Sequence, residues 1–154
     1  MPRSSSPVVA PLLALLLVSC GGSTEPEVEL EVIEEVEFAP SLNIDLSQMT
    51  KVPPGFYYQD LTVGEGDEAR TGDRAFLQYI LWLRTGQLIE AGDFDFVVGS
   101  GFAIQGFDLG TIGMRRGGVR KLVIPPGLAY GATGSGPIPP GAVLVFQLEL
   151  DSIG

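Results

Sequence analysis

Leu128-Ala129-Tyr130-Gly131-Ala132-Thr133-Gly134-Ser135-Gly136-Pro137-Ile138-Pro139-Pro140-Gly141-Ala142-Val143-Leu144-Val145-Phe146 decides how this chain is read. It sets a tyrosine on a glycine-rich loop, returns through the rigid pair Pro139-Pro140, and ends in an apolar strand carrying Phe146. Proline fixes φ and glycine permits the sharp reversals, so such a loop holds one shape without a helix or a ladder. The pattern suits an aromatic pocket whose rim carries very few polar groups.

Outward from that stretch, residues 51–154 read as one compact domain of roughly 100 residues, large enough to bury its own core. Gly55 to Val63 is an aromatic-rich strand, closed by the turn Gly64-Glu65-Gly66-Asp67. Ala75 to Arg84 is a long apolar strand, which Thr85-Gly86-Gln87 turns into Leu88-Ile89-Glu90. Phe94 to Val98 alternates before Gly99-Ser100-Gly101, and two more strands run from Gly118 to Ile124 and from Ala142 to Leu150. Ile104, Phe107 and Ile112 sit at near-helical spacing. Gly106, Gly110 and Gly113 each cost ~1 kcal/mol relative to alanine, so only a short helix is expected there. Many strands and one helix predict an α+β fold: a curved antiparallel sheet wrapped around one short α-helix. Most of Phe56, Phe76, Trp82 and Phe102 are expected in its core. There are no internal repeats.

From about Gly55 to Asp151 the chain resembles the FKBP-type peptidyl-prolyl cis-trans isomerases. The motifs are Gly64-Glu65-Gly66, Phe94-Asp95-Phe96 with Gly99, Ile104-Gln105-Gly106-Phe107, Gly113-Met114-Arg115, Gly117 to Leu122, Ile124-Pro125 and the opening stretch. Each is weak alone; their order and spacing carry the resemblance. It implies a pocket between sheet and helix lined by Tyr79, Phe94, Phe96, Ile104, Phe107, Tyr130, Ile138 and Phe146. It also implies that Phe107 is the floor, often tryptophan in the family, and that the Tyr130 hydroxyl and Ile104 amide bond ligand carbonyls. Ile89-Glu90 stands where many members have a Phe-Asp pair. That implies a thinner aromatic wall, a longer carboxylate steadying the pocket's tyrosine, weakened isomerisation and weak binding of rapamycin-class macrolides. Ala91-Gly92-Asp93 is shorter than the family's usual bulge. A non-catalytic module that holds proline-containing or unfolded segments is the alternative.

Composition excludes other chemistries. Histidine is absent and Cys20 is the one cysteine, so Ser-His-Asp and Cys-His catalysis, imidazole proton transfer and Cys/His zinc sites lack their groups. No cofactor or metal is implied. Nine basic residues against nineteen acidic ones give a net charge of −10, which opposes nucleic-acid backbones and anionic lipid. Arg115, Arg116, Arg120 and Lys121 read as solvated charge around a hairpin turn. Gly131 to Gly136 lacks the Gly-Lys-Ser/Thr ending of a phosphate-cradling loop.

The N-terminus bears on location. Arg3 precedes the apolar run Val8 to Val18, which is too short for a span of ~18–20 residues but right for an export signal. Leu17-Val18-Ser19-Cys20 resembles a bacterial lipobox, which implies a signal peptide over 1–19 and a lipid on Cys20. The expected location is the bacterial cell envelope, with attachment to the membrane through that lipid alone. Proline-containing segments of exported or unfolded proteins are the expected partners. Residues 20–50 are expected as an acidic linker. No Lys or Arg lies between Arg3 and Lys51, so six glutamates from Glu27 to Glu37 would repel one another and stay extended and solvated. Val28 to Val32 alternates as an added strand would, and Leu42-Asn43-Ile44-Asp45-Leu46 reads as a short strand leading into the domain.

Overall fold

The computed structural model describes residues 26–154; the signal peptide, lipobox and Cys20 readings lie outside them. The strands are β1 (Thr50–Val52), β2 (Phe56–Thr62), β3 (Glu65–Glu68), β4 (Arg74–Leu83), β5 (Leu88–Val97), β6 (Arg115–Arg116), β7 (Val119–Ile124) and β8 (Leu144–Ile153). The helix α1 spans Gln105–Thr111. Six strands form one antiparallel sheet in the order β1-β2-β7-β8-β4-β5, and β3 pairs with β6 beside it. This is the expected α+β architecture, with the helix against one face of the sheet.

Alternation sorts the side chains between the two faces. Leu144, Phe146, Leu148 and Leu150 of β8 join Leu77 and Leu81 of β4 and Leu122 and Ile124 of β7 in an inner core that Phe107 of α1 completes. Val143, Val145, Tyr57 and Val123 point the other way into a second, outer core. Two glycines let the helix lie directly on β7. A Cβ on Gly106 would stand 2.3 Å from Ile124 Cγ2, and one on Gly110 2.5 Å from Leu122 Cδ1. Neither neighbour is accessible to solvent, so neither can swing away. The competition has a clear winner. Gly106→Ala gains up to ~1 kcal/mol of helix propensity but overpacks the core at a cost of about 1–3 kcal/mol. Its urea midpoint is expected to fall; a rise would show that the helix can lift off the sheet freely.

Four local expectations are corrected. Glu65 to Asp67 is not a turn but part of β3, whose Glu65 pairs with Arg116 and Glu68 with Arg115. Ala91-Gly92-Asp93 does not separate two strands; β5 runs through it, with Gly92 opposite Tyr79. Phe76 and Phe102 are exposed rather than core, and Trp82 packs against the outer core. The strand read over Leu42 to Leu46 is absent, and two 3-10 turns, Pro40–Leu42 and Leu46–Gln48, stand there instead. The reason is local: the Asp45 carboxylate accepts from the Ser47 amide at 3.0 Å, a side-chain bond that competes with a ladder.

The acidic linker is corrected most. Residues 31–49 form a strap over the outer face, burying Ile33, Leu42 and Met49 against Tyr57, Val123, Val143 and Val145. Repulsion among the glutamates loses because the domain supplies cations. The Glu31 carboxylate accepts from Arg84 Nε at 2.6 Å and from the Val143 amide at 2.7 Å. Glu34 accepts from Lys51 Nζ at 2.5 Å and the Tyr57 hydroxyl at 2.6 Å. Those two bonds, Lys51 first, pull its pKa down to about 2. The segment Val28 to Val32 is no strand, although the Glu31 amide donates to Gly141 O at 2.8 Å.

The basic cluster does not act as one solvated patch either. Arg115 pairs with Glu68 at 2.9 Å, and Lys121 donates to Leu42 O of the strap at 2.6 Å, where burial lowers its pKa. Arg120 is buried. Its guanidinium forks onto Asp60 at 2.6 and 3.0 Å, donates to Gly110 O and Ile112 O at 3.0 and 2.9 Å, and lies 4.3 Å from the Tyr58 ring centroid.

Candidate binding and catalytic pocket

Between the inner face of the sheet and the start of α1 lies a hollow of about 310 Å³. Its wall is built by period two. Tyr79 and Leu81 of β4 point inward together, and Phe146 joins them from β8. Phe94 and Glu90 face them from β5, where Leu77 pairs with Phe94 and Leu81 with Glu90. Phe107 closes the floor from α1, while Phe102, Ala103 and Ile104 line the hollow from the segment before the helix and Tyr130 from the glycine-rich loop.

Phe107 is the hub of the ring cluster. Its centroid lies 6.0 Å from Tyr79, 5.6 Å from Phe94, 5.7 Å from Phe96 and 5.3 Å from Phe146, each pair edge-to-face. Such contacts are worth about 0.5–1.5 kcal/mol each beyond the area they bury. They hold the wall rings in place rather than letting them collapse into the hollow.

Two donors remain available at the rim. Among the described residues, neither the Tyr130 hydroxyl nor the Ile104 amide N–H has a protein acceptor. Tyr130 is held by its loop: the Gly134 amide donates to Tyr130 O at 3.1 Å, and the Gly141 amide to Gly131 O at 2.8 Å. The segment leading to Phe102 is held by Asp108, a buried carboxylate that accepts from the Gly99 amide at 2.5 Å and the Gly101 amide at 3.2 Å. Tyr79 stands deeper. Burial first, then the Glu90 carboxylate and the Tyr130 hydroxyl, push its pKa up to about 12, so it keeps its proton.

Of the residues named from the sequence, Tyr79, Glu90, Phe94, Ile104, Phe107, Tyr130 and Phe146 come together around the hollow. Three do not line it. Phe96 lies behind the wall, stacked 5.1 Å from Phe94; Ile138 is buried in the inner core under the loop. Ile89 is the extra residue of a bulge, since Trp82 pairs with Leu88 and Leu81 with Glu90, and it packs against the inner core from the side. Leu81, Phe102, Ala103 and Asp108 were missed. Leu81 was legible, being two residues from Tyr79 on one strand. Asp108 carries no signature apart from the loop it ties. No group of three or more potential metal ligands occurs among the described residues.

Residues 66–151 match the family described as FKBP-type peptidyl-prolyl cis-trans isomerase. The FK506-binding protein 4 of Rhizopus delemar is 41% identical over 111 residues, covering 69% of this chain and 29% of that protein. That of Dictyostelium discoideum is 39% identical over 110 residues, covering 69% and 30%. The chain therefore spans less than a third of these relatives' length. Among solved structures, FkpA from Escherichia coli superposes with a TM-score of 0.64 at 31% identity, over 69% of this chain and 51% of that one. AtFKBP13 superposes with a TM-score of 0.64 at 33% identity, over 69% and 98%.

Proposed function

The chain belongs to the FKBP-type peptidyl-prolyl cis-trans isomerase family, and on that premise we propose that it accelerates rotation about X-Pro bonds of exported or unfolded proteins. One observation carries the reading: a ring-walled hollow of about 310 Å³ with two unspent donors, the Tyr130 hydroxyl and the Ile104 amide, at its mouth. Rotation about an ordinary peptide bond meets a barrier of ~18–20 kcal/mol, and X-Pro bonds turn over in tens to hundreds of seconds unaided. Twisting the imide breaks its resonance and makes the carbonyl less polar. An apolar, water-poor site therefore stabilises the twisted form more than the planar one. The rings of Phe94, Phe107 and Phe146 grip the prolyl ring, while Tyr130 and Ile104 hold the flanking carbonyls. No nucleophile or proton transfer is needed.

Magnitudes apportion the work. A millionfold acceleration takes about 8 kcal/mol, whereas one neutral hydrogen bond nets about 1 kcal/mol. Desolvation and positioning of the proline supply the larger share. The test is a protease-free cis-trans assay on Leu-Pro and Phe-Pro peptides. The unmodified protein is expected to accelerate both, and Tyr130→Phe to lower kcat/KM about fivefold, the equivalent of one hydrogen bond. Background rates in the unmodified protein, with peptide still bound, would instead make it a holding module.

The apolar run Val8 to Val18 followed by Cys20 supports an exported protein lipid-anchored to the bacterial cell envelope through that cysteine. Metabolic labelling with a palmitate analogue, lost in Cys20→Ala, tests the anchor. The names of its FK506-binding relatives support weak macrolide binding in the same hollow.

A further inference from the structure

The loop that carries Tyr130 is not held by its own residues alone. Its return limb passes through Gly141, whose amide donates to Gly131 O at 2.8 Å, and Gly141 O accepts from the Glu31 amide at 2.8 Å. Two backbone bonds thus link the residue after Tyr130 to the strap. Two residues further on, the amide of the wholly buried Val143 donates to Glu31 Oε2 at 2.7 Å. The other carboxylate oxygen, Oε1, accepts from Arg84 Nε at 2.6 Å, just past the end of β4, the strand that supplies Tyr79 and Leu81. Gly141 makes this approach possible: it stands at φ 74°, and a Cβ there would lie 2.5 Å from Glu29 O. Glu31 precedes residues 66–151, which carry the family match, and it does not line the hollow.

We propose that Glu31 is a positioning residue for Tyr130, its carboxylate clamping the foot of the glycine-rich loop to the end of β4 and so fixing where the hydroxyl stands at the hollow. The inference rests on the isomerase reading and extends it to a residue that touches no substrate. Pro137, Pro139 and Pro140 stiffen the middle of the loop, but its feet are Gly131 and Gly141, both at positive φ. Those glycines are where the loop would swing, and the clamp closes that hinge. The tolerance is narrow. An O–H···O bond spans about 2.5–3.0 Å, so a shift of roughly 1 Å at Tyr130 forfeits the bond it offers a ligand carbonyl.

The experiment measures kcat/KM on the Leu-Pro and Phe-Pro peptides for the full chain and for Glu31→Gln, Tyr130→Phe and the two together. A glutamine amide has one acceptor oxygen, so whichever way it turns, its NH2 faces either the Arg84 guanidinium or the Val143 amide. Glu31→Gln is expected to lose about three- to fivefold, up to the equivalent of one hydrogen bond. In the Tyr130→Phe background the same change should cost less than about 1.5-fold, because its effect runs through a hydroxyl already gone. Glu34→Gln is the control. It loosens the strap at Lys51 and Tyr57 but leaves the loop foot tied, and should stay within about twofold. Circular dichroism checks folding; should Glu31→Gln fail it, Glu31→Asp, which keeps both oxygens one methylene short, takes its place in the cycle. An equal loss in Glu34→Gln, an undiminished loss in the Tyr130→Phe background, or no loss at all overturns the clamp. Background rates in the unmodified protein sink the isomerase reading alone. The same cycle is then read in peptide affinity by NMR titration, where a loss independent of Tyr130, or none, sinks the clamp as well.

Discussion

Arg120→Ala is expected to lower the unfolding free energy by about 3–5 kcal/mol, the range for breaking a buried ion pair from one side. The side chain is 7% exposed and joins three elements: Asp60 of β2, the carbonyls of Gly110 and Ile112 at the end of α1, and its own strand β7. Removing it leaves two carbonyls short of their donor, withdraws a cation from the Tyr58 ring, and strands the Asp60 carboxylate. Asp60 keeps 31% of its side-chain surface in water, which softens the last item and favours the lower end of the range. Arg120→Lys retains charge but not the fork, so it should fall between. The double variant Arg120→Met with Asp60→Leu should be more stable than Arg120→Ala, because no orphaned charge remains. Urea unfolding measures all three. A loss under about 1 kcal/mol for Arg120→Ala would mean that water replaces the guanidinium without penalty.

Phe107→Ala carries the largest expected effect on function. It removes the ring that four others meet edge-to-face and opens the floor to water. Truncating a buried phenylalanine costs about 3–5 kcal/mol of stability. The loss in kcat/KM should reach roughly 10–100-fold, or about 1.4–2.7 kcal/mol of transition-state stabilisation at 1.36 kcal/mol per tenfold. Phe107→Trp should retain activity if the hollow, and not one ring, does the work. Assays must be run where circular dichroism shows the variant folded. Full activity in Phe107→Ala would detach the hollow from the chemistry.

Alternation and turn residues made the strands legible, whereas it was the family resemblance that brought Tyr79, Phe94 and Phe146 to one pocket. What failed was whatever depended on partners distant in sequence. Glu31 and Glu34 looked self-repelling because Arg84 and Lys51 lie 53 and 17 residues away. Arg120 looked like turn charge because Asp60 is 60 residues off. Phe102 looked like core because aromaticity suggests burial until a neighbour such as Phe94 offers a stack at the surface. Ile89 looked like a wall residue because a one-residue bulge, invisible in composition, turns it aside.

The strap also determines what light can report. The chain's one tryptophan, Trp82, is half-buried and packs against the outer core that the strap covers, while the pocket floor is a phenylalanine. Indole emission therefore follows docking and release of residues 31–49 and stays nearly silent when a peptide fills the hollow on the far side of the sheet. A flat fluorescence titration with a ligand is the expected signal of a working site here, and a moving one points to the strap.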